Sequence, residues 1–105
     1  MLISYDDESL LDNVDLKHYP NEIVEKNYKT FKRLLNYYKI KYHKVYLHHK
    51  GGIYFIFIKN KSRIFIELYN DGTLNYFIQN NKGIIENKNF NDFSEVIKIL
   101  NYKHY

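Results

Sequence analysis

The sequence predicts an α+β domain: a helix, an antiparallel meander sheet of four to five strands, and a C-terminal helix. Three observations carry this. Apolar residues repeat at helical spacing after Pro20, alternate or run continuously between residues 42 and 86, and return to helical spacing after Asn91. Gly, Asn and Asp clusters cut the middle stretch into strand-sized pieces. The 105 residues fit one domain, laid out as an acidic segment over 1–19, a helix over 20–40, a sheet over 42–86 and a helix over 91–103. Sequential hairpins need no crossover, so strand order should follow chain order, with both helices on one sheet face.

Each element has its own signal. Asp6-Asp7-Glu8 before Leu10-Leu11 suits a short helical turn. Pro20, the only proline, stands where a first helical position tolerates a missing N–H. Val24, Tyr28, Phe31, Leu35 and Tyr38 then form one apolar stripe, which predicts a helix from about Asn21 to Tyr38. From His43 to His49 the pattern alternates, with Val45 and Leu47 on one face. Lys50-Gly51-Gly52 reads as a hairpin turn. Ile53 to Ile58, the run IYFIFI, is apolar throughout and reads as a central strand buried on both faces. Lys59 to Ser62 turn the chain into Arg63–Tyr69, with Ile64, Ile66 and Leu68 on one face and Phe65, Glu67 and Tyr69 on the other. Asn70-Asp71-Gly72 is a strong turn signal. Thr73–Gln79 follows with Leu74, Tyr76 and Ile78 inward. After Asn80 to Gly83, Ile84-Ile85 predicts a short edge strand. Asp92-Phe93-Ser94-Glu95 has capping-box spacing, and Phe93, Val96, Ile97 and Leu100 share one face of the closing helix.

Composition narrows the chemistry. Cysteine is absent, which removes disulfides, thiolate catalysis and cysteine-based zinc sites. No apolar run approaches the roughly 18 residues of a membrane span, and MLISYDDESLLDN lacks the basic-then-apolar order of a signal peptide. These features predict a soluble cytoplasmic protein. Tyr, Asn, Lys and Ile are abundant while Ala and Trp are absent, the usage that AT-rich codons favour. Charge is segregated: residues 1–26 carry seven acidic and two basic side chains, and residues 27–64 carry ten basic and none acidic. Such a block can attract phosphate or an acidic partner, or be a solvated face balanced by the acidic N-terminus.

No catalytic constellation emerges. On one strand His43 and His49 would lie about 20 Å apart, and His48 and His49 would point to opposite faces, so no metal site is expected. Glu67 is expected to pair across strands with a Lys or with Arg63; it would serve as a general base only if His48 or His49 lay across the sheet. No serine has a nucleophile-elbow context, and Gly51-Gly52 lacks the remainder of a phosphate loop. The expectation is no enzyme, no cofactor and no metal.

The sheet face away from the helices is the most informative surface. Phe65, Glu67, Tyr69 and Phe77 should lie there, with either Tyr54-Ile56-Ile58 or Ile53-Phe55-Phe57 from the preceding strand. Tyr54, Phe65, Glu67, Tyr69 and Phe77, rimmed by Lys59, Lys61 and Arg63, are the candidate partner-binding residues, because aromatic and arginine side chains dominate interface hot spots. Candidate phosphate contacts are Lys32, Arg33, Lys39, Lys41, Lys44, His48, His49 and Lys50. The alternative is a single-stranded nucleic-acid binder that stacks bases on the same rings. Residues 1–20 or a second copy of the chain are the other candidates to cover this face.

The run GGIYFIFIKNKSRIFIELYNDGTLNYF resembles a pattern in small bacterial and phage proteins of no assigned activity. In these a helix precedes a strand pair, Gly-Gly opens a strand, Ile-Glu sits mid-strand, and Asp-Gly-hydrophobic-x-Tyr follows. The matching positions are Gly51, Gly52, Ile66, Glu67, Asp71, Gly72, Leu74 and Tyr76, and they span about half the chain. A Trp of the pattern is replaced by Phe55 or Phe57. The resemblance is to antitoxin, immunity and anti-CRISPR-like anti-defence proteins. It implies a non-enzymatic inhibitor that occludes a larger partner: a toxin or a host defence effector, including one carrying bound nucleic acid. It also implies action in the host cytoplasm if phage-encoded, no membrane role, and room for a homodimer.

Overall fold

The computed structural model describes residues 19–101. Their order is α1 (Glu22–Tyr37), β1 (Lys44–Leu47), β2 (Gly52–Lys59), β3 (Ser62–Tyr69), β4 (Leu74–Asn80), β5 (Gly83–Phe90) and α2 (Phe93–Asn101). The strands form one antiparallel sheet in chain order, the α+β meander that the turn signals predict. The helical turn expected near Leu10-Leu11, all but the last two residues of the 1–20 segment expected as cover, and the helix residues expected beyond 101 lie outside the described residues.

Both ends of α1 are fixed by local hydrogen bonds. Asn21 is the N-cap, and its Oδ1 accepts from the Val24 N–H at 3.1 Å. Pro20 therefore precedes the cap instead of occupying the first helical position, because Asn21 supplies the acceptor that a proline lacks. Asn21 also ties the helix to the β3–β4 turn: its Nδ2 donates to the Asn70 carbonyl at 2.8 Å, and Asn70 Oδ1 accepts from its N–H at 3.2 Å. At the other end Lys39 takes φ 58°, and the Ile40 and Lys39 N–H groups bond back to Leu35 and Asn36 carbonyls. That is a Schellman closure, with lysine at the position glycine usually fills.

The register sorts the strands into two faces. On the helix face, Val45, Phe55, Ile66 and Tyr76 make one cross-strand row, Leu47, Ile53, Leu68, Leu74 and Phe90 another, and Phe57, Ile64 and Ile78 a third. All are buried except the partly buried Leu47. Phe31 of α1 joins the layers: its ring stacks on Phe93 of α2 at 4.9 Å and meets Phe55 edge-on at 5.0 Å. Of the α1 stripe, Val24, Phe31 and Leu35 are buried, but Tyr38 lies past the helix end and is exposed. On α2 all of Phe93, Val96, Ile97 and Leu100 are buried, and Asp92 Oδ1 caps the helix through the Ser94 N–H at 2.9 Å.

Three expectations need correction. The IYFIFI strand is fully buried only on its helix side; Tyr54 and Ile56 are partly exposed and Ile58 is exposed, because α1 and α2 both pack on the other side. The short edge strand is instead the full-length β5, reaching Phe90 rather than ending near residue 86. Its Glu86, Asn87, Lys88 and Asn89 have poor strand propensity, but pairing along β4 overrides it. The first strand stops at Leu47, and His48 to Gly51 form the turn. Gly52 then opens β2 at φ 119°, where a Cβ would sit 2.1 Å from the Leu68 carbonyl oxygen. Only glycine fits there. Among the described residues, no helix is long and apolar enough to cross a membrane.

Candidate functional site

The far face of the sheet, opposite the helices, carries Tyr46 from β1, Tyr54, Ile56 and Ile58 from β2, Arg63, Phe65, Glu67 and Tyr69 from β3, and Asn75, Phe77 and Gln79 from β4. The open choice on β2 is thus resolved in favour of Tyr54-Ile56-Ile58. Phe65 and Phe77 are direct cross-strand partners whose rings lie 4.3 Å apart and nearly parallel. Tyr54 adds a ring 6.1 Å from Phe65, and Tyr46 adds one 5.6 Å from Tyr54.

Glu67 sits one row along, opposite Tyr54 on β2 and Asn75 on β4. It is only 8% exposed. Its Oε2 accepts from Tyr69 OH at 2.8 Å and lies 2.7 Å from His48 Nε2, while Oε1 accepts from Asn75 Nδ2 at 2.8 Å. Asn75 Nδ2 also donates to Asn87 Oδ1 at 2.9 Å, extending the network to β5. The Lys50 N–H donates to His48 Nδ1 at 3.0 Å. That bond fixes the tautomer: Nδ1 carries the lone pair and Nε2 carries the hydrogen that goes to Glu67. The contact is therefore a neutral imidazole donating to a carboxylate.

The electrostatics follow. Burial opposes the Glu67 charge, but the hydrogen bonds from His48, Asn75 and Tyr69 outweigh it and hold the carboxyl below its ordinary pKa. Burial and the bond to Glu67 push the Tyr69 phenol far above its ordinary value. Burial, then Tyr46 and Glu67, raise Tyr54 as well. His48, His49, Tyr54, Phe65, Glu67 and Phe77 together line a hollow of about 210 Å³.

Glu67 thus pairs with neutral donors, not with a Lys or Arg63. Arg63 lies on the same strand four residues away, roughly 13 Å along it, opposite Ile58 and Gln79. Lys59, Lys61 and Arg63 cluster at the β2–β3 turn, at one end of the sheet, and do not line the hollow. His48 and His49 do not point apart: their rings stack at 4.7 Å, because the strand ends before them and the alternation lapses. His48 does lie against Glu67, the arrangement a general base would require, yet both of its nitrogens are already engaged.

The candidate phosphate contacts divide between the two sides of the sheet. Lys32 and Arg33 belong to α1 and Lys39 to its C-terminal closure. The Lys32 ammonium rests over Tyr28 at 5.3 Å and Tyr42 at 5.6 Å. Partial burial works against that charge, but hydrogen bonding and attraction to Tyr28 and Tyr42 win, and its pKa is raised. Lys41 lines a separate hollow beside Lys32. Lys44 shares the far face, opposite Ile56, and His49 and Lys50 are exposed on the β1–β2 turn. Among the described residues there is no group of three or more His, Asp or Glu placed to hold a metal ion.

Asn75 and Asn87 carried no signal of their own in the sequence. The first was derivable: if β3 and β4 fold about Asp71-Gly72, Asn75 falls opposite Glu67. The approach of His48 depends on the turn geometry of the two glycines, and no spacing rule supplies it. No protein-family model, no curated protein and no solved structure matches this chain.

Proposed function

We propose that the protein is a non-enzymatic binding module whose far sheet face docks on a larger protein and occludes it, in the manner of an antitoxin, immunity or anti-defence inhibitor. The carrying observation is the stacked, partly exposed Phe65–Phe77 pair on the face that neither helix covers, continuous with Tyr54 and the hollow around Glu67. Aromatic residues on a rigid sheet bring large contact area at low entropic cost, which is what interface hot spots use. The engagement of both His48 nitrogens supports a binding role over acid–base catalysis.

The same rings also suit base stacking by a single-stranded nucleic acid. Two features favour the protein partner. An anion at Glu67 lies beside the rings and repels phosphate, and the basic block of residues 27–64 is spread over both sides of the sheet instead of framing this face.

Affinity capture from nuclease-treated cytoplasmic lysate tests the reading, with the native chain beside a Phe65→Ser/Phe77→Ser variant whose fold is verified by circular dichroism. A protein held by the native chain and lost by the variant is the expected result. Identical protein sets overturn it. Retention that disappears with nuclease and weakens steeply with salt turns the assignment to nucleic acid. A doubled solution mass abolished by the variant turns it to self-association.

A further inference from the structure

The hollow on the far face combines three things that seldom occur together by accident. It has a buried carboxylate, aromatic walls, and no Lys or Arg partner for that carboxylate among the described residues. From these we infer that the hollow is a recognition pocket for a cationic side chain, a lysine ammonium supplied by the docking protein. This assignment rests on the docking reading above and specifies its central contact.

A buried anion is normally compensated by a cation or a metal. Glu67 is held ionised by a phenol, an amide and a neutral imidazole, none of which supplies positive charge. The field of the carboxylate is therefore uncancelled within the hollow. A ligand bearing one positive charge cancels it; an anion or a neutral apolar group does not.

An ionised carboxylate offers about four lone-pair positions. Among the described residues, two on Oε2 are taken by His48 and Tyr69, and one on Oε1 by Asn75, which leaves one on Oε1. One open position suits the point-like ammonium of lysine better than the paired donors of a guanidinium, whose advantage lies in bidentate contact.

Tyr54, Phe65 and Phe77 present rings beside the carboxylate, and ring faces attract ammonium groups. A volume of about 210 Å³ admits an alkylammonium stem with its head at Glu67. The neutral tautomer of His48, enforced by the Lys50 N–H, keeps the turn from filling the cation's role itself.

The test is a ¹H–¹⁵N NMR titration of the full chain with N-acetyl-lysine methylamide and, separately, N-acetyl-norleucine methylamide, the uncharged analogue of nearly the same shape. Expected are saturable shifts at His48, Lys50, Tyr54, Phe65, Glu67 and Asn75 with the lysine probe only. They should weaken as salt rises and fall at least about tenfold in affinity in Glu67→Gln, the loss expected for one charge-assisted hydrogen bond. No shifts with lysine, or equal shifts with norleucine, overturn the assignment, and this contrast needs no variant to fold. An unmoved hollow alongside a protein captured by the native chain and lost by the Phe65/Phe77 variant overturns the lysine pocket and leaves the docking face standing. Lysine binding with no captured protein overturns the assignment of the ligand to a protein partner.

Discussion

The two faces of this one sheet use the same kinds of residue and reach opposite ends. On the helix face Phe55, Ile64, Ile66 and Ile78 are fully buried under Phe31 and α2. On the far face Phe65 and Phe77 stack at 4.3 Å and stay partly exposed, beside the buried carboxylate of Glu67; the carboxylate on the helix side, Glu86, is only partly buried. Aromatic content therefore does not distinguish the buried core from the partly exposed face here. The position of a carboxylate does: Glu67 is worth burying only where polar donors converge on it, and they converge only on the far face. The helix face places a carboxylate contact, Tyr76 OH to Glu86 Oε1 at 2.6 Å, out at the edge strand.

The largest effect should come from the layer that only the helix face possesses. Phe31→Ala removes the ring that joins α1, α2 and β2, and should cost about 3–5 kcal/mol in denaturant unfolding, enough to threaten folding outright. A loss under about 1 kcal/mol would mean that the helices do not depend on this ring, against the usual cost of such a cavity. Gly52→Ala comes next. It forces a side chain onto φ 119° and into the Leu68 carbonyl, and should cost about 3 kcal/mol while also displacing His48 from Glu67, since the His48 N–H bonds to the Gly52 carbonyl. The His48 ring signals in an NMR spectrum report that displacement directly.

Glu67→Gln probes the far face itself. The amide keeps one acceptor but turns a donor toward groups that are donors already, so His48, Tyr69 or Asn75 loses its partner at about 1–3 kcal/mol. The effect depends on pH. The Glu67 carboxyl has a lower pKa folded than unfolded, so its stabilisation is complete above the unfolded value of about 4.3 and is lost as pH falls through the lower folded value. Unfolding free energies measured from neutral to acid pH should show the native chain losing an increment that the Gln variant never had. Parallel curves would mean that the network does not hold the charge.

Much of this contrast was legible in the sequence, and the missing part has a physical reason. Strand order, both helix stripes, and the assignment of Phe65, Glu67, Tyr69 and Phe77 to one face follow from periods of 3.6 and 2 together with Asp71-Gly72. Period governs only regular backbone. It failed at His48 and His49, where the ladder ends and two neighbouring rings stack, and so the partner of Glu67 was misassigned. It failed again at Glu86 to Asn89, where β4 imposes a strand on residues that do not favour one. The basic block was visible as a run of charge but not as a surface, because contiguity along the chain says nothing about which side of the sheet each lysine reaches.

The smallest effect tests the comparison most directly. Phe77→Leu keeps an apolar side chain on β4 and removes the stack on Phe65, a contact worth about 0.5–1.5 kcal/mol beyond the area buried. On a partly exposed face the leucine meets no tight complement, so the expected loss is about 1 kcal/mol with an unchanged denaturant slope. The matching change on the helix face, Phe31→Leu, breaks three ring contacts at once in a fully buried site and should cost clearly more. If the far face docks as proposed, binding reverses the ranking: Phe77→Leu weakens capture of the proposed partner, while Phe31→Leu, where folded, leaves it intact. Equal stability losses at the two positions would mean that the far face is packed as tightly as the core, and its rings would then no longer be spare surface for a partner.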